Sequence, residues 1–174
     1  SFVKVSALTF TYIPKLNAET FTKDADYFHI CLNNTIYGTR FTELPDTGNV
    51  PLIADVSSCI LSEPMDVSKF GVLYAGAQKN MGPAGLTVVI IRDDLIGNAR
   101  DMTPTMFNYK IHADNQSMYN TPPCYSIYIA KLVFEWIQNE MGGLEKMKLY
   151  NEKKAKILYD FLDESKMFSG TVEK

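Results

Sequence analysis

Residues 70–91 read FGVLYAGAQKNMGPAGLTVVII, with two apolar runs on either side of a polar loop. The second run, residues 86–91, is rich in β-branched residues, which favour strands. The first, residues 70–75, is a compact apolar run of the kind found in sheets covered on both faces. The loop between them carries Lys79 among glycines. This stretch predicts a strand, a polar loop with a function, and a second strand.

Upstream of this stretch, residues 50–56 (VPLIADV) form another compact apolar run, which ends in an acid at Asp55. Residues 26–32 are a further strand candidate, ended by the turn-prone pair Asn33-Asn34. Weaker patterns predict a strand over residues 3–10, a turn or short strand over 35–41, and a loop over 42–49.

Downstream, residues 100–123 contain three prolines and are predicted to be irregular. The apolar period then changes from that of a strand to that of a helix. One helix is predicted to end at Gly142-Gly143, with an apolar face of Ile127, Ala130, Phe134, Ile137 and Met141. A second is predicted over residues 144–164, with an apolar set of Leu144, Met147, Ile157, Leu158, Phe161 and Leu162. Strands followed by helices favour a layered α/β or α+β domain.

Composition excludes several classes of protein. The chain has 174 residues, 46% hydrophobic and 21% charged, which indicates about one globular domain. Its net charge of −3 argues against a nucleic-acid binder that depends on bulk positive charge. No apolar run approaches the roughly 18 residues of a membrane span, so no membrane partner is expected. The sequence begins SFVK, without Met or a signal pattern, and we expect a piece of a longer protein.

Cysteine and histidine usage predicts neither disulfides nor metal. The three cysteines, Cys31, Cys59 and Cys124, are odd in number and widely spaced. We expect them to be small buried hydrophobes in a reducing compartment, which favours a cytoplasmic location. The two histidines, His29 and His112, form no zinc motif. His29 lies in an apolar stretch and is expected to be a strand histidine with satisfied hydrogen bonds.

Asp55 and Lys79 stand at positions suited to chemistry. A carboxylate at a strand end points into the crevice where α/β sheets bind ligands, and a lysine amine can act as nucleophile or base. A lysine that bonds a carbonyl carbon, with an acid that holds a pyridinium nitrogen protonated, is the minimum set for pyridoxal phosphate (PLP) chemistry. Donors for a phosphate are offered by Gln78, Ser57, Ser58 and the polar loop 117–123. On these residues alone, a solvated lysine and an exposed edge aspartate remain an open alternative.

Several segments together resemble one family. They are YFHICLNNTIYG (27–38), ADVSS (54–58), MDVSKFGV (65–72), YAGAQKNMGPAGL (74–86) and YNTPP (119–123). With these segments the chain resembles the phosphoserine aminotransferases, a family of class V PLP-dependent enzymes with the fold-type I architecture. The similarity runs from about residue 25 to 165, and the combination of the lysine loop with Asn-Thr-Pro-Pro is specific.

The resemblance implies a role for each matching residue. Lys79 corresponds to the lysine that binds PLP covalently, and Asp55 to the carboxylate that bonds the pyridine nitrogen. The other cofactor-binding positions are Thr35 near the phenolic oxygen, Gln78 on the phosphate, and Asn120 and Thr121 on the phosphate of a neighbouring subunit. The last two imply a homodimer with shared active sites. Asn34 replaces the glutamate of the family, and little effect on the chemistry is expected.

The resemblance also implies a fold and an activity. The fold is part of a large α/β domain, with a mostly parallel mixed sheet flanked by helices. Residues 1–143 would belong to the PLP-binding domain, 144–164 to a long helix leading to a small domain, and 165–174 to the start of that domain. The activity is transamination between L-glutamate and 3-phosphohydroxypyruvate, which gives O-phospho-L-serine and 2-oxoglutarate in serine biosynthesis.

Two alternatives stay open at this point. The chain could belong to another class V aminotransferase, such as the alanine–glyoxylate type, although the Asn-Thr-Pro-Pro loop favours the first assignment. The chain could also be an inactive fragment that binds PLP, because the family's substrate-binding and ring-stacking residues have no counterpart within its 174 residues.

Overall fold

A mixed, mostly parallel sheet forms the centre of the molecule. The computed structural model describes residues 11–16, 21–22 and 24–173. Its strands are β1 (Phe28–Cys31), β2 (Asn33–Asn34), β3 (Thr39–Arg40), β4 (Leu52–Asp55), β5 (Val72–Gly76) and β6 (Thr87–Ile91). Four of them form the main sheet in the order β1-β4-β5-β6. β1, β4 and β5 pair in parallel and β6 returns antiparallel to β5, while β2 and β3 form a separate small ribbon.

One face of the sheet makes the core. Alternate residues of a strand point to the same face, and the alternate residues Leu52 and Ala54 of β4 are both buried. The same is true of Leu73 and Ala75 in β5, and of Ile30 in β1. The central runs therefore form strands because the core-side residues of β4 and β5 are removed from water, whereas β6 at the edge of the sheet has no fully buried residue.

In the described part of the chain, four helices follow or flank the sheet. They are α1 (Ala77–Asn80), α2 (Tyr109–Asp114), α3 (Cys124–Asn139) and α4 (Leu144–Glu164), with short 3₁₀ turns at Val67–Lys69, Asp93–Leu95 and Thr105–Phe107. Gly142 and Gly143 separate α3 from α4, and their φ values of 76° and 91° lie in the left-handed region that glycine adopts most readily. The predicted stop at this pair is confirmed.

One segment differs from the sequence-based expectation, a second agrees with it, and a third lies outside the described residues. Residues 100–123 are not wholly irregular, since they contain α2 and a 3₁₀ turn. Asn108 starts α2 because its side chain accepts a hydrogen bond from the Lys110 backbone N–H at 3.0 Å. Residues 35–41 combine a turn with the short strand β3. The segment that cannot be compared is the strand expected over residues 3–10.

The predicted apolar faces of α3 and α4 are only partly buried. Ala130 and Ile137 of α3 are buried, whereas Phe134 is 42% exposed. Met147 of α4 is buried, but Ile157 is 74% exposed. The helical period therefore predicts the two helices correctly but overstates how much of their apolar faces is buried within this chain. None of the helices in the described ranges has the length and apolar character of a membrane span.

α3 and α4 are tied to the loops around the sheet. The Ser126 hydroxyl of α3 donates to the Ala84 carbonyl at 2.9 Å. Asn151 of α4 donates to the Ser62 carbonyl, also at 2.9 Å. The first of these bonds fixes the segment that follows Lys79, because Ala84 belongs to the link between α1 and β6.

We predict that Met81→Ala destabilises the protein, because Met81 follows α1 directly and is 1% exposed in the core. Removing a buried methionine side chain costs about 3 kcal/mol through lost burial and the cavity left behind. Chemical denaturation checks the free energy of unfolding. Met102→Ala is the control, because Met102 is 84% exposed. Equal losses in the two variants would contradict the buried position of Met81.

Candidate active site

The carboxyl ends of three parallel strands meet at one edge of the sheet. Cys31 is in register with Asp55, and Asp55 is in register with Tyr74. Side chains in register on parallel strands point to the same face, so these three residues form a row. Lys79 follows shortly after β5 ends at Gly76, at the same edge. This is the position where open α/β sheets bind ligands.

Lys79 lies on the single helical turn α1, not in an irregular loop as the sequence suggests. The turn closes because the backbone N–H groups of Met81 and Gly82 both donate to the Ala77 carbonyl at 2.9 Å. The Lys79 side chain is exposed, and its Nζ donates to the Thr35 Oγ1 at 3.1 Å. The structure therefore brings together two residues that are 44 positions apart.

Asp55 is held by the residues that follow it. Its Oδ1 accepts a hydrogen bond from the Ser57 backbone N–H at 2.9 Å. The Ser57 hydroxyl accepts from the Gly76 backbone N–H at 3.0 Å, so Ser57 links the ends of β4 and β5. Ser58 is engaged with Asn33, which donates to its hydroxyl at 2.8 Å. The sequence suggests both serines as phosphate ligands. In the structure their hydroxyls instead bond to Gly76 and Asn33 beside the site.

Gln78 is exposed and its side chain folds back over Gly76. A Cβ added at Gly76 would lie 2.7 Å from the Gln78 Oε1, closer than real contacts allow. Glycine at this position therefore leaves room for the Gln78 amide beside the strand end. The amide stays available as a donor at the edge where Lys79 lies.

Asn120 and Thr121 do not join the cluster within this chain. Both are exposed, and the Asn120 side chain donates only to the adjacent Thr121 carbonyl, at 3.5 Å. They lie just before α3, which begins at Cys124. The structure leaves both side chains on the surface.

Cys31 lies close enough to Asp55 and Lys79 for both charges to affect the pKa of its thiol. Partial burial raises the pKa of the Cys31 thiol, the negative charge of Asp55 raises it further, and the positive charge of Lys79 lowers it. Both charges therefore act on the same sulfur atom. The expectation of buried cysteines is wrong for Cys31 and Cys124, which are exposed, and correct for Cys59.

Sequence reasoning missed Tyr74 as a member of this site. Its hydroxyl lies 2.9 Å from the Nε2 of His29, which agrees with the expectation of a strand histidine with a hydrogen-bond partner. The alternation of side chains along β5 could have indicated Tyr74, because Tyr74 lies on the same face as Asp55 once the two strands are aligned. The alignment itself is not visible in the sequence.

A cleft of about 600 Å³ opens beside Thr35. The turn at residues 35–38 forms one wall, and the end of α4 with residues 168–172 forms another. Thr35 thus contacts Lys79 on one side and lines this space on the other.

The donor set fits the cofactor that the resemblance implies. An amine, a carboxylate and a hydroxyl, from Lys79, Asp55 and Thr35, lie at one sheet edge. These groups can respectively bond an aldehyde carbon, a pyridine nitrogen and a phenolic oxygen. Among the described residues, no three side chains of His, Cys, Asp or Glu converge in a way that could hold a metal ion.

Comparison with protein families finds one match over nearly the whole chain. Residues 6–173 match the model described as "Aminotransferase class-V". The match includes every residue of the cluster around Lys79.

Curated relatives are similar to this chain over part of their length. A phosphoserine aminotransferase of Bacillus cereus is 54% identical over 164 residues, which are 94% of this chain and 45% of the relative. The one from Desulfatibacillum aliphaticivorans is 56% identical over 165 residues, 95% of this chain and 45% of the relative. The chain spans a little under half the length of these relatives.

Solved structures share the fold. A phosphoserine aminotransferase studied for radiation damage of its Schiff base has a TM-score of 0.88 and 47% identity, covering 94% of this chain and 46% of that chain. A PLP-bound phosphoserine aminotransferase from Trichomonas vaginalis has a TM-score of 0.83 and 42% identity, covering 89% of this chain and 43% of that chain. The mostly parallel sheet with flanking helices is therefore the architecture of these enzymes.

We predict that the alkylation rate of Cys31 rises with pH around a midpoint above that of a free cysteine peptide. Only the thiolate reacts, and burial together with Asp55 raises the pKa of Cys31. Asp55→Asn should move the midpoint down, because it removes a negative charge beside the sulfur. Mass spectrometry of the Cys31 peptide from cofactor-free protein measures the rate. Asp101→Asn, at an exposed position, is the control, and an unchanged midpoint in Asp55→Asn would contradict the shared environment.

Proposed function

Because the chain belongs to the class V aminotransferase family, we propose that it forms the cofactor-binding part of a PLP-dependent phosphoserine aminotransferase. The proposed reaction transfers the amino group of L-glutamate to 3-phosphohydroxypyruvate and yields O-phospho-L-serine and 2-oxoglutarate, a step of serine biosynthesis. Relatives of that name at 52–56% identity support this substrate pair. Since the chain spans 45–48% of those relatives, the activity is proposed for a longer protein that contains it.

The observation that carries the proposal is the contact between Lys79 and Thr35. The amine lies 3.1 Å from the hydroxyl at the carboxyl edge of the sheet, and Asp55 ends the adjacent strand. A solvated surface lysine would have no reason to meet a hydroxyl from a distant turn beside a strand-end carboxylate. The alternative of an unspecialised lysine and aspartate explains this arrangement less well.

PLP, when bound, supplies an aldehyde carbon that takes up amino groups and a ring that accepts electrons from the substrate α-carbon. Lys79 would hold the cofactor covalently at rest. Its amine, once free, would take the proton from the α-carbon of L-glutamate as a general base and later return one to the product. Asp55 would keep a proton on the ring nitrogen, and Thr35 would hold the phenolic oxygen.

The phosphate of the cofactor would be bound from two subunits. Gln78 is beside Lys79 and offers its exposed amide. Asn120 and Thr121 are on the surface, and we propose that they reach the phosphate of a neighbouring copy in a homodimer. Their exposure supports this role, because binding a neighbouring copy would break no contact between these side chains and the core of this chain.

The division of the chain follows from the same proposal. Residues 1–143 would belong to the large domain, α4 would lead to a small domain, and residues 165–174 would begin it. The apolar residues exposed on α4, such as Ile157 at 74%, would then be covered by the rest of the longer protein. Three free cysteines are consistent with a cytoplasmic location.

We predict that Lys79→Arg abolishes covalent cofactor binding. Borohydride trapping followed by mass spectrometry should find the reduced adduct on the Lys79 peptide of the wild type and not in the variant. Transamination should fall by about 10³-fold, because the general base is lost. Lys69→Arg, at an exposed lysine of the Val67–Lys69 turn, should keep both the adduct and the rate. An adduct on another lysine would overturn the assignment.

We predict that the longer protein prefers 3-phosphohydroxypyruvate over glyoxylate by about 100-fold or more in kcat/KM, because a site built for a phosphate leaves polar groups unpaired around the smaller acid. Steady-state assays with L-glutamate or L-alanine as donor measure the ratio. A preference for glyoxylate would favour the alanine–glyoxylate type. Cofactor bound on Lys79 without turnover of either acid would favour an inactive PLP-binding protein.

A further inference from the structure

Asn34 closes the turn that carries Thr35. Its side-chain Oδ1 accepts hydrogen bonds from the backbone N–H groups of Ile36 at 3.2 Å and Tyr37 at 3.3 Å. Its backbone carbonyl accepts from the N–H of Gly38 at 2.9 Å. A single residue therefore binds all three N–H groups that follow Thr35 in the turn. Asparagine suits such turns because its short side chain reaches the backbone two residues further on.

The base of the turn is anchored beside the end of β4. The Asn33 side chain donates to the Ser58 hydroxyl at 2.8 Å, and that hydroxyl donates to the Asn33 carbonyl at 3.0 Å. Ser58 lies shortly after β4 ends. On the other side of the turn, Asn34 pairs with Thr39, which is buried. The backbone on both sides of the turn is therefore held, while the Thr35 side chain itself stays exposed.

The position of the Thr35 hydroxyl depends on this backbone. Threonine is branched at Cβ, which restricts its χ1 rotamers, so the conformation of the turn largely decides where the hydroxyl lies. Lysine has many rotamers, and the Lys79 Nζ has this hydroxyl as a hydrogen-bond partner at 3.1 Å. A change in the turn would therefore move the partner of the amine.

We propose that Asn34 is a positioning residue that holds the Thr35 hydroxyl beside Lys79 and the phenolic oxygen of the cofactor, an assignment that rests on the proposed function. Asn34 acts through Thr35, by fixing the backbone that follows it. The glutamate that the family carries at this position predicts little direct effect of the residue on the chemistry. The hydrogen bonds of Asn34 give it an indirect effect in this chain.

The affinity of the longer, cofactor-free protein for PLP tests this assignment and is measured by fluorescence titration. Thr35→Val removes the hydroxyl and should lower the affinity about tenfold, the effect of one hydrogen bond to a charged group. Asn34→Ala removes the acceptor of two N–H groups. We expect it to lower the affinity about fivefold, because a loosened turn loses part of the bond that Thr35 supplies.

Asp46→Ala is the matched control. The Asp46 Oδ1 accepts a hydrogen bond from the Gly48 N–H at 3.0 Å, so this variant also removes a side-chain acceptor from a turn. That turn lies in the loop between β3 and β4, outside the cluster around Lys79. Its affinity for PLP should stay at the wild-type value.

Two further variants separate a positioning role from a general effect on folding. Asn34→Asp keeps an oxygen that can accept the same N–H groups, and its affinity should stay within about twofold of wild type. In the Thr35→Val background, Asn34→Ala should have no further effect, because Asn34 acts only through the hydroxyl.

The outcomes distinguish the two levels of the proposal. Wild-type protein that binds no PLP on Lys79 would overturn the proposed function, and the positioning role with it. Wild-type binding with unchanged affinity in Asn34→Ala would overturn the positioning role alone. Equal losses in Asn34→Asp and Asn34→Ala, or an undiminished loss from Asn34→Ala in the Thr35→Val background, would show that Asn34 does not act through Thr35 and would also overturn it.

Discussion

The parallel pairing of β1, β4 and β5 is the constraint on which the site depends. Because these strands run in the same direction, their carboxyl ends lie at one edge, and the register places Cys31, Asp55 and Tyr74 in a row there. Shifting β4 by one residue would turn Asp55 to the opposite face, where Ala54 now packs in the core. The buried alanines and leucines of that face therefore determine which way the carboxylate points.

Polar groups that follow the strand ends stabilise the geometry of the carboxyl edge of the sheet. Ser57 is buried, and it joins the Asp55 carboxylate to the backbone of Gly76. Lys79 follows on a turn whose continuation is fixed by Ser126 of α3. The reactive amine thus stands on a short helix between two anchored segments, with Thr35 as its partner. Precise placement of an exposed lysine needs such anchors, because the side chain itself has many rotamers.

Much of the fold follows from local patterns. The strand runs 50–56, 70–75 and 86–91 account for β4, β5 and β6, and the helical period with the Gly142-Gly143 stop gives α3 and α4. The turns α1 and α2 escape prediction because they are too short to show an apolar period. The Asn108 side chain caps α2, whereas α1 closes through backbone bonds to the Ala77 carbonyl. The burial of α3 and α4 is overstated because periodicity shows which residues share a face, and not whether anything packs against that face.

The sequence by itself determined the residue types, the family resemblance and the positions of Asp55 and Lys79 at the ends of apolar runs. Only the tertiary structure decided that Thr35 meets Lys79 and that Tyr74 meets His29 on the face of the sheet that carries Asp55. Thr35 and Lys79 are 44 residues apart, and His29 and Tyr74 are 45 apart. Contacts of that range depend on strand order and register, which arise from the packing of whole faces and leave no local signal in the chain.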